Sequence, residues 1–148
     1  MKLRILIAIL FVMTCVASAA DRKYINNPRA AGAQNLPFSD GVLVGNTLYI
    51  AGTIGLDPKT GLAPADAEQE AHLVMEGIKR TVESAGLTMD DVVSLQIFCT
   101  DLKLYDTFNG VYKGYFHGDY PARAFIGVNQ LVRNGKFEVL GIAVKRAQ

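Results

Sequence analysis

Two charged residues stand where period-two strand patterns demand apolar ones. Glu138 lies in Phe137-Glu-Val-Leu-Gly-Ile-Ala-Val144, where alternation puts it on one face with Leu140, Ile142 and Val144. Arg123 sits between Ala122 and Ala124 at the start of a second apolar run, with Phe125 next on its own face. A charge on an apolar strand face is costly to bury without a partner. Two explanations are open at this point. Either residue is structural, paired or reaching solvent at a strand end, or each belongs to a site. In a site, a guanidinium suits bidentate binding of a substrate carboxylate. A half-buried carboxylate suits holding or activating a water.

Other chemistries are thinly supplied. The chain has 2 histidines and 2 cysteines, and it contains no G-x-G-x-x-G, P-loop, C-x-x-C or H-E-x-x-H pattern. His72 falls among polar residues of an expected helix, and His117 in a His-Gly-Asp turn, so both read as surface residues and no metal site is expected. No nucleophile elbow is present. Fifteen Lys+Arg balance fourteen Asp+Glu for a net charge of +1, which argues against a general nucleic-acid binder.

The elements that must position Arg123 and Glu138 can be laid out from pattern. Gly41–Val44 and Thr47–Ala51 are β-rich runs joined by Gly45-Asn46, a hairpin signal. Asp57 to Gly61 is a turn with Pro58 at its second position. Asp66 to Ala85 is the best helix: Asp66 caps it, with Gln69 three residues on, and Gly86 ends it. Ala71, Val74, Met75, Ile78, Val82 and Ala85 form its apolar stripe. Val92 to Thr100 reads as a strand with Val93, Leu95, Ile97 and Cys99 on one face. Asp106 to Phe116 reads as a second helix with Tyr105, Phe108, Tyr112 and Phe116 on one side, weakened by Gly110 and Gly114. Ala122–Val128 and Phe137–Val144 are the last strands. This order predicts an α+β fold with both helices on one face of the sheet. The other face is left apolar and uncovered, which points to burial by another subunit.

The N-terminus carries a different signal. Met1-Lys-Leu-Arg4 is basic, Ile5 to Val16 is apolar, and Ala17-Ser-Ala19 is an A-x-A site. This is the layout of a secretory signal peptide over residues 1–19. As a helix the apolar run rises only about 18 Å, short of the roughly 30 Å of a bilayer core. Export to a periplasmic or secreted location is the expectation, with no membrane attachment after cleavage. Residues 20–35 are polar and read as a flexible arm, which leaves 36–148 as the domain. Removal of Cys15 would leave Cys99 as a lone, buried and inert thiol.

With the pattern laid out, the chain resembles the reactive intermediate deaminase family, RidA or YjgF, also known as endoribonuclease L-PSP. The resembling stretches are Leu36-Pro-Phe-Ser-Asp40, Val44-Gly-Asn-Thr-Leu-Tyr-Ile-Ala-Gly52 and Leu56-Asp-Pro-Lys-Thr-Gly61. Ala85-Gly-Leu87, Asp91-Val-Val93, Thr100-Asp-Leu102 and Asn109-Gly-Val-Tyr112 follow. The most specific is Pro121-Ala-Arg-Ala124, followed by Glu138 in a strand ending Ile142-Ala-Val144.

The resemblance implies a chorismate-mutase-like α+β fold and a homotrimer with sites in clefts between subunits. It implies hydrolysis of enamine and imine intermediates, such as 2-aminoacrylate, to a 2-oxo acid and ammonia, with no cofactor. Arg123 matches the arginine that grips the substrate carboxylate, and Glu138 the glutamate that positions the attacking water. Gly52 and Phe125 match walls of the cleft; Tyr105 and Asn109 match positions near it on the second helix. Phe38 stands where the family often has tyrosine, and Phe125 replaces a frequent cysteine. Ala51 and Thr53 replace a common serine and glutamine. Those departures keep a second reading open, a non-catalytic binder of small carboxylates. The family's older name keeps a third, an endoribonuclease, although the chain lacks a histidine pair and a basic stripe for it.

Overall fold

The computed structural model describes residues 21–28 and 36–146; the expected signal segment lies outside them. Six strands form one sheet: β1 (Arg22–Ile25), β2 (Gly41–Val44), β3 (Thr47–Ile54), β4 (Val92–Cys99), β5 (Ala122–Gly127) and β6 (Phe137–Val144). Their order is β1-β2-β3-β6-β4-β5. Every neighbouring pair is antiparallel except β4 and β5, which run parallel. Two helices, α1 (Ala67–Ser84) and α2 (Tyr105–Tyr112), complete the α+β fold.

Helix α1 forms where its capping chemistry requires it. The Asp66 carboxylate accepts from the Gln69 N–H at 2.7 Å, which satisfies one of the orphan donors of the first turn. At the far end Gly86 takes φ 81°, the left-handed conformation that only glycine adopts freely. The Leu87 N–H then reaches back to Val82 O and Gly86 N–H to Glu83 O, closing a Schellman motif. The apolar stripe of α1 shares one buried core with Leu48 and Ile50 of β3, Leu95, Ile97 and Cys99 of β4, and Phe137, Val139 and Ala143 of β6. Helix α2 contributes Phe108, Val111 and Tyr112 to the same core. Both helices therefore cover one face, as the pattern predicts.

No described element covers the opposite face. Register places Tyr24, Val42, Tyr49 and Ile142 in one row across β1, β2, β3 and β6. None of these four is buried, and Tyr24 and Tyr49 are more than half exposed.

Three expectations need correction. The polar stretch before Leu36 is not all loose arm: Arg22–Ile25 is strand β1. An edge strand needs only backbone pairing and one buried side chain, here Ile25, so its composition hides it. Asn27 ties it down, accepting from Ser84 Oγ and donating from its N–H to Asp40 and from its amide to Thr81 Oγ1. Second, Val93 is exposed and Val92 buried, because a register shift between Val92 and Ser94 reverses the alternation there. Third, α2 starts at Tyr105 and stops at Tyr112, where a 3-10 turn over Lys113–Tyr115 takes over.

Candidate active site

Strand β5 and helix α2 build one half of the site. Arg123 pairs in register with Leu95 and Phe125 with Ile97, so both lie on the helix-covered face. From α2, Tyr105, Asn109 and Tyr112 fall at i, i+4 and i+7 and so line one side of the helix. Arg123 Nη1 donates to Asn109 Oδ1 at 2.7 Å and Nη2 to Tyr105 Oη at 3.2 Å. The guanidinium also lies 4.7 Å from the Tyr112 ring centroid, 5.6 Å from Tyr105 and 5.9 Å from Phe125. The Phe125 ring is held edge-on by Tyr105 at 5.0 Å and Phe108 at 5.7 Å.

Every one of those partners is neutral. Among the described residues Arg123 forms no ion pair. Two of the roughly five N–H donors of a guanidinium are engaged, and the rest are left for an anion. A cation oriented by neutral groups and not cancelled by a carboxylate is suited to capture one. Burial pushes the Tyr112 hydroxyl up to about 12, against a smaller opposing pull from Arg123, so it stays protonated at neutral pH.

Glu138 belongs to a second half, on the other face. It pairs with Phe98 of β4 and Ile54 of β3, between the buried positions Phe137 and Val139. Its carboxylate makes no hydrogen bond to the described residues, and it lies directly against Gly52. A bulge between Ile50 and Thr53 brings Gly52 there, and a Cβ at Gly52 would collide with Glu138 Oε1. The Ala51 N–H donates to Asp40 O, which sets the loop carrying half-exposed Phe38 beside this bulge.

The seven predicted residues thus separate into two groups. Arg123, Tyr105, Asn109 and Phe125 converge; Glu138 and Gly52 converge elsewhere, with the Phe38 loop alongside. Strands β5 and β6 are two strand spacings apart, roughly 10 Å, and the three-residue register offset adds about 10 Å more. One small molecule does not touch both groups within one chain.

Two contributors escape the sequence reading. Tyr112, under Arg123, reads as one more apolar residue of a helix stripe; its i+7 spacing from Tyr105 is the signal. Glu70, fully buried on α1, accepts from the Lys136 and Phe137 N–H groups and pairs with Lys136 Nζ at 3.1 Å. It anchors the start of β6, one residue before Glu138. His72 and His117 line a separate groove of about 490 Å³ with Glu76 and Tyr115. No metal-ligating group of three converges among the described residues.

The family model for endoribonuclease L-PSP matches residues 26–145. The chain belongs to that family. It is 36% identical over 129 residues to the 2-iminobutanoate/2-iminopropanoate deaminase of Bos taurus, covering 86% of this chain and 93% of the relative. The protein of the same name from Escherichia coli K12 is 36% identical over 124 residues, covering 82% and 94%. A crystal structure of Escherichia coli TdcF with bound serine superposes with a TM-score of 0.77 at 37% identity, covering 84% of this chain and 99% of that one. The α+β fold of this chain is therefore the one seen in that solved relative, as the resemblance implied.

Proposed function

We propose that this protein is an enamine/imine deaminase acting on 2-imino acids. Water adds to the C=N carbon, the C–N bond breaks, and the products are a 2-oxo acid and ammonia; the step balances with water alone. Arg123 grips the carboxylate, which places the imine carbon relative to the water. Glu138 accepts a proton from that water and returns it to the departing nitrogen. The observation that carries this reading is the Arg123 guanidinium, oriented by Tyr105 and Asn109 and left without a counter-charge among the described residues. The names of the relatives at 36% identity support the same chemistry.

The site forms between copies, with Arg123 from one chain and Glu138 from another. The open sheet face supplies the contact surface, and a homotrimer is the assembly the family implies. The signal-like N-terminus adds export to a periplasmic or secreted location; intact mass of the exported protein should show a chain beginning at Ala20.

The test uses imines generated in situ by an amino-acid oxidase over a panel of amino acids, with ammonia and 2-oxo acid followed. Accelerated release of both supports the deaminase. Binding of a 2-oxo acid without acceleration on any substrate overturns catalysis and leaves a carboxylate-binding protein.

A further inference from the structure

We infer that Tyr112 is a positioning residue of the arginine half-site, and that the face of its ring, not its hydroxyl, holds the Arg123 guanidinium ready for an anion. The inference rests on the reading of Arg123 as a carboxylate clamp. Among the three rings around the guanidinium, Tyr112 is the nearest, at 4.7 Å. It is also the most buried of the three, 3% exposed against 43% for Tyr105 and a half-buried Phe125. Phe116 packs on it at 4.9 Å and Tyr120 stacks at 6.1 Å, so the ring cannot turn away.

The two hydrogen bonds to Arg123 leave this task undone. Asn109 and Tyr105 each fix one terminal nitrogen from the α2 side. Neither stops the guanidinium plane from tilting about the line between them. The Tyr112 ring, with the guanidinium carbon 4.7 Å from its centroid, supplies a further point of restraint, because a guanidinium lies favourably over an aromatic face. It does so without a negative charge that would compete with the ligand.

The hydroxyl shows which part of Tyr112 matters. It is the one buried side-chain polar atom without a hydrogen-bond partner among the described residues. An unpartnered buried hydroxyl costs stability. A ring without it should pack at least as well and present the same face to Arg123.

The test compares Tyr112→Phe with Tyr112→Met, which fills most of the space with a flexible apolar side chain and loses the ring. Readouts are KM and kcat on a 2-imino acid, affinity for 2-oxobutanoate, and the Arg123 side-chain nitrogen resonances of the unliganded protein. Tyr112→Phe should keep KM within about twofold, raise Tm, and leave the Arg123 nitrogens slow to exchange. Tyr112→Met should raise KM and weaken 2-oxobutanoate about tenfold, leave kcat within a few-fold, and average those resonances. A Tyr112→Phe variant that loses binding as Tyr112→Met does overturns the inference, since the hydroxyl would then be the contact. Equal fall of kcat and affinity in Tyr112→Met, with Arg123 resonances unchanged, overturns it too. If Arg123→Ala itself leaves binding intact, the clamp reading fails, and the resonances still report separately whether Tyr112 restrains Arg123.

Discussion

Arg123 and Glu138 should fail in different ways. Arg123→Ala removes a charge-assisted contact worth roughly 1.5–3 kcal/mol, so kcat/KM should fall at least ten- to hundredfold. Arg123→Lys should recover little, because an ammonium lacks the planar fork that meets Asn109, Tyr105 and a carboxylate together. Glu138→Gln should lower kcat by roughly 10²–10⁴ and leave 2-oxo acid binding nearly intact. Melts distinguish a structural role: neither variant should unfold, since neither side chain forms an ion pair among the described residues. Gly52→Ala is a subtler probe. Gly52 is not in the left-handed region, so the backbone accepts alanine, and the only collision is with the end of the Glu138 side chain. The expected outcome is an unchanged Tm with kcat reduced roughly ten- to hundredfold by a displaced carboxylate. Steady-state kinetics beside a thermal melt checks it. Arg123 and Glu138 are legible in sequence because a charge interrupts apolar alternation. Tyr112 and Glu70 are not: an aromatic on a helix stripe reads as core, and an acid in a first helical turn reads as a favourable partner of the helix dipole.

Among the elements, β6 and α1 carry their own punctuation. Phe137 to Val144 alternates without a break, and α1 has a cap at each end, so both are recognised almost residue for residue. Strand β1 and the Val93 irregularity escape, because backbone pairing and register shifts leave no mark on composition. One element-scale contact has a pH signature. Asp91, just before β4, accepts from the Thr88 N–H and hydroxyl and from Arg146 Nε beyond β6. Burial pushes its carboxyl up, but the Thr88 and Arg146 donors outweigh it and hold the group below its ordinary 3.8. A lowered folded pKa means that its stabilisation is complete above the unfolded value and disappears as pH falls through the folded one. Asp91→Asn should therefore cost about 1–2 kcal/mol near neutrality, with the gap closing as pH drops below 3.8. Most of that cost comes from Thr88, because Arg146 is largely exposed and screened. Urea melts of both proteins across the acid range measure it.

At the scale of the molecule, the two half-sites on opposite sheet faces make a claim about assembly. Mixing the impaired Arg123→Ala and Glu138→Gln chains, with subunit exchange, should raise activity above that of either alone. Random pairing gives intact sites at about one quarter of positions in a closed ring. No recovery on mixing overturns a site shared between copies. Ile142→Asp puts a charge in the open-face row, and it should reduce the assembly to folded monomers without turnover, as light scattering and the coupled assay would show. The uncovered face was readable in sequence as apolar alternation on strands with too few helices. The division of the seven residues was not, because it depends on which face each strand turns towards α2.

That division carries a consequence for how such a protein is controlled. A chain folded alone holds a guanidinium on one side of its sheet and a carboxylate on the other, and under the proposed mechanism it is chemically mute. On the proposed site shared between copies, catalysis begins only when copies meet, so dilution alone should extinguish it and accumulation ignite it. The quantity that would then set the output is abundance raised to a power.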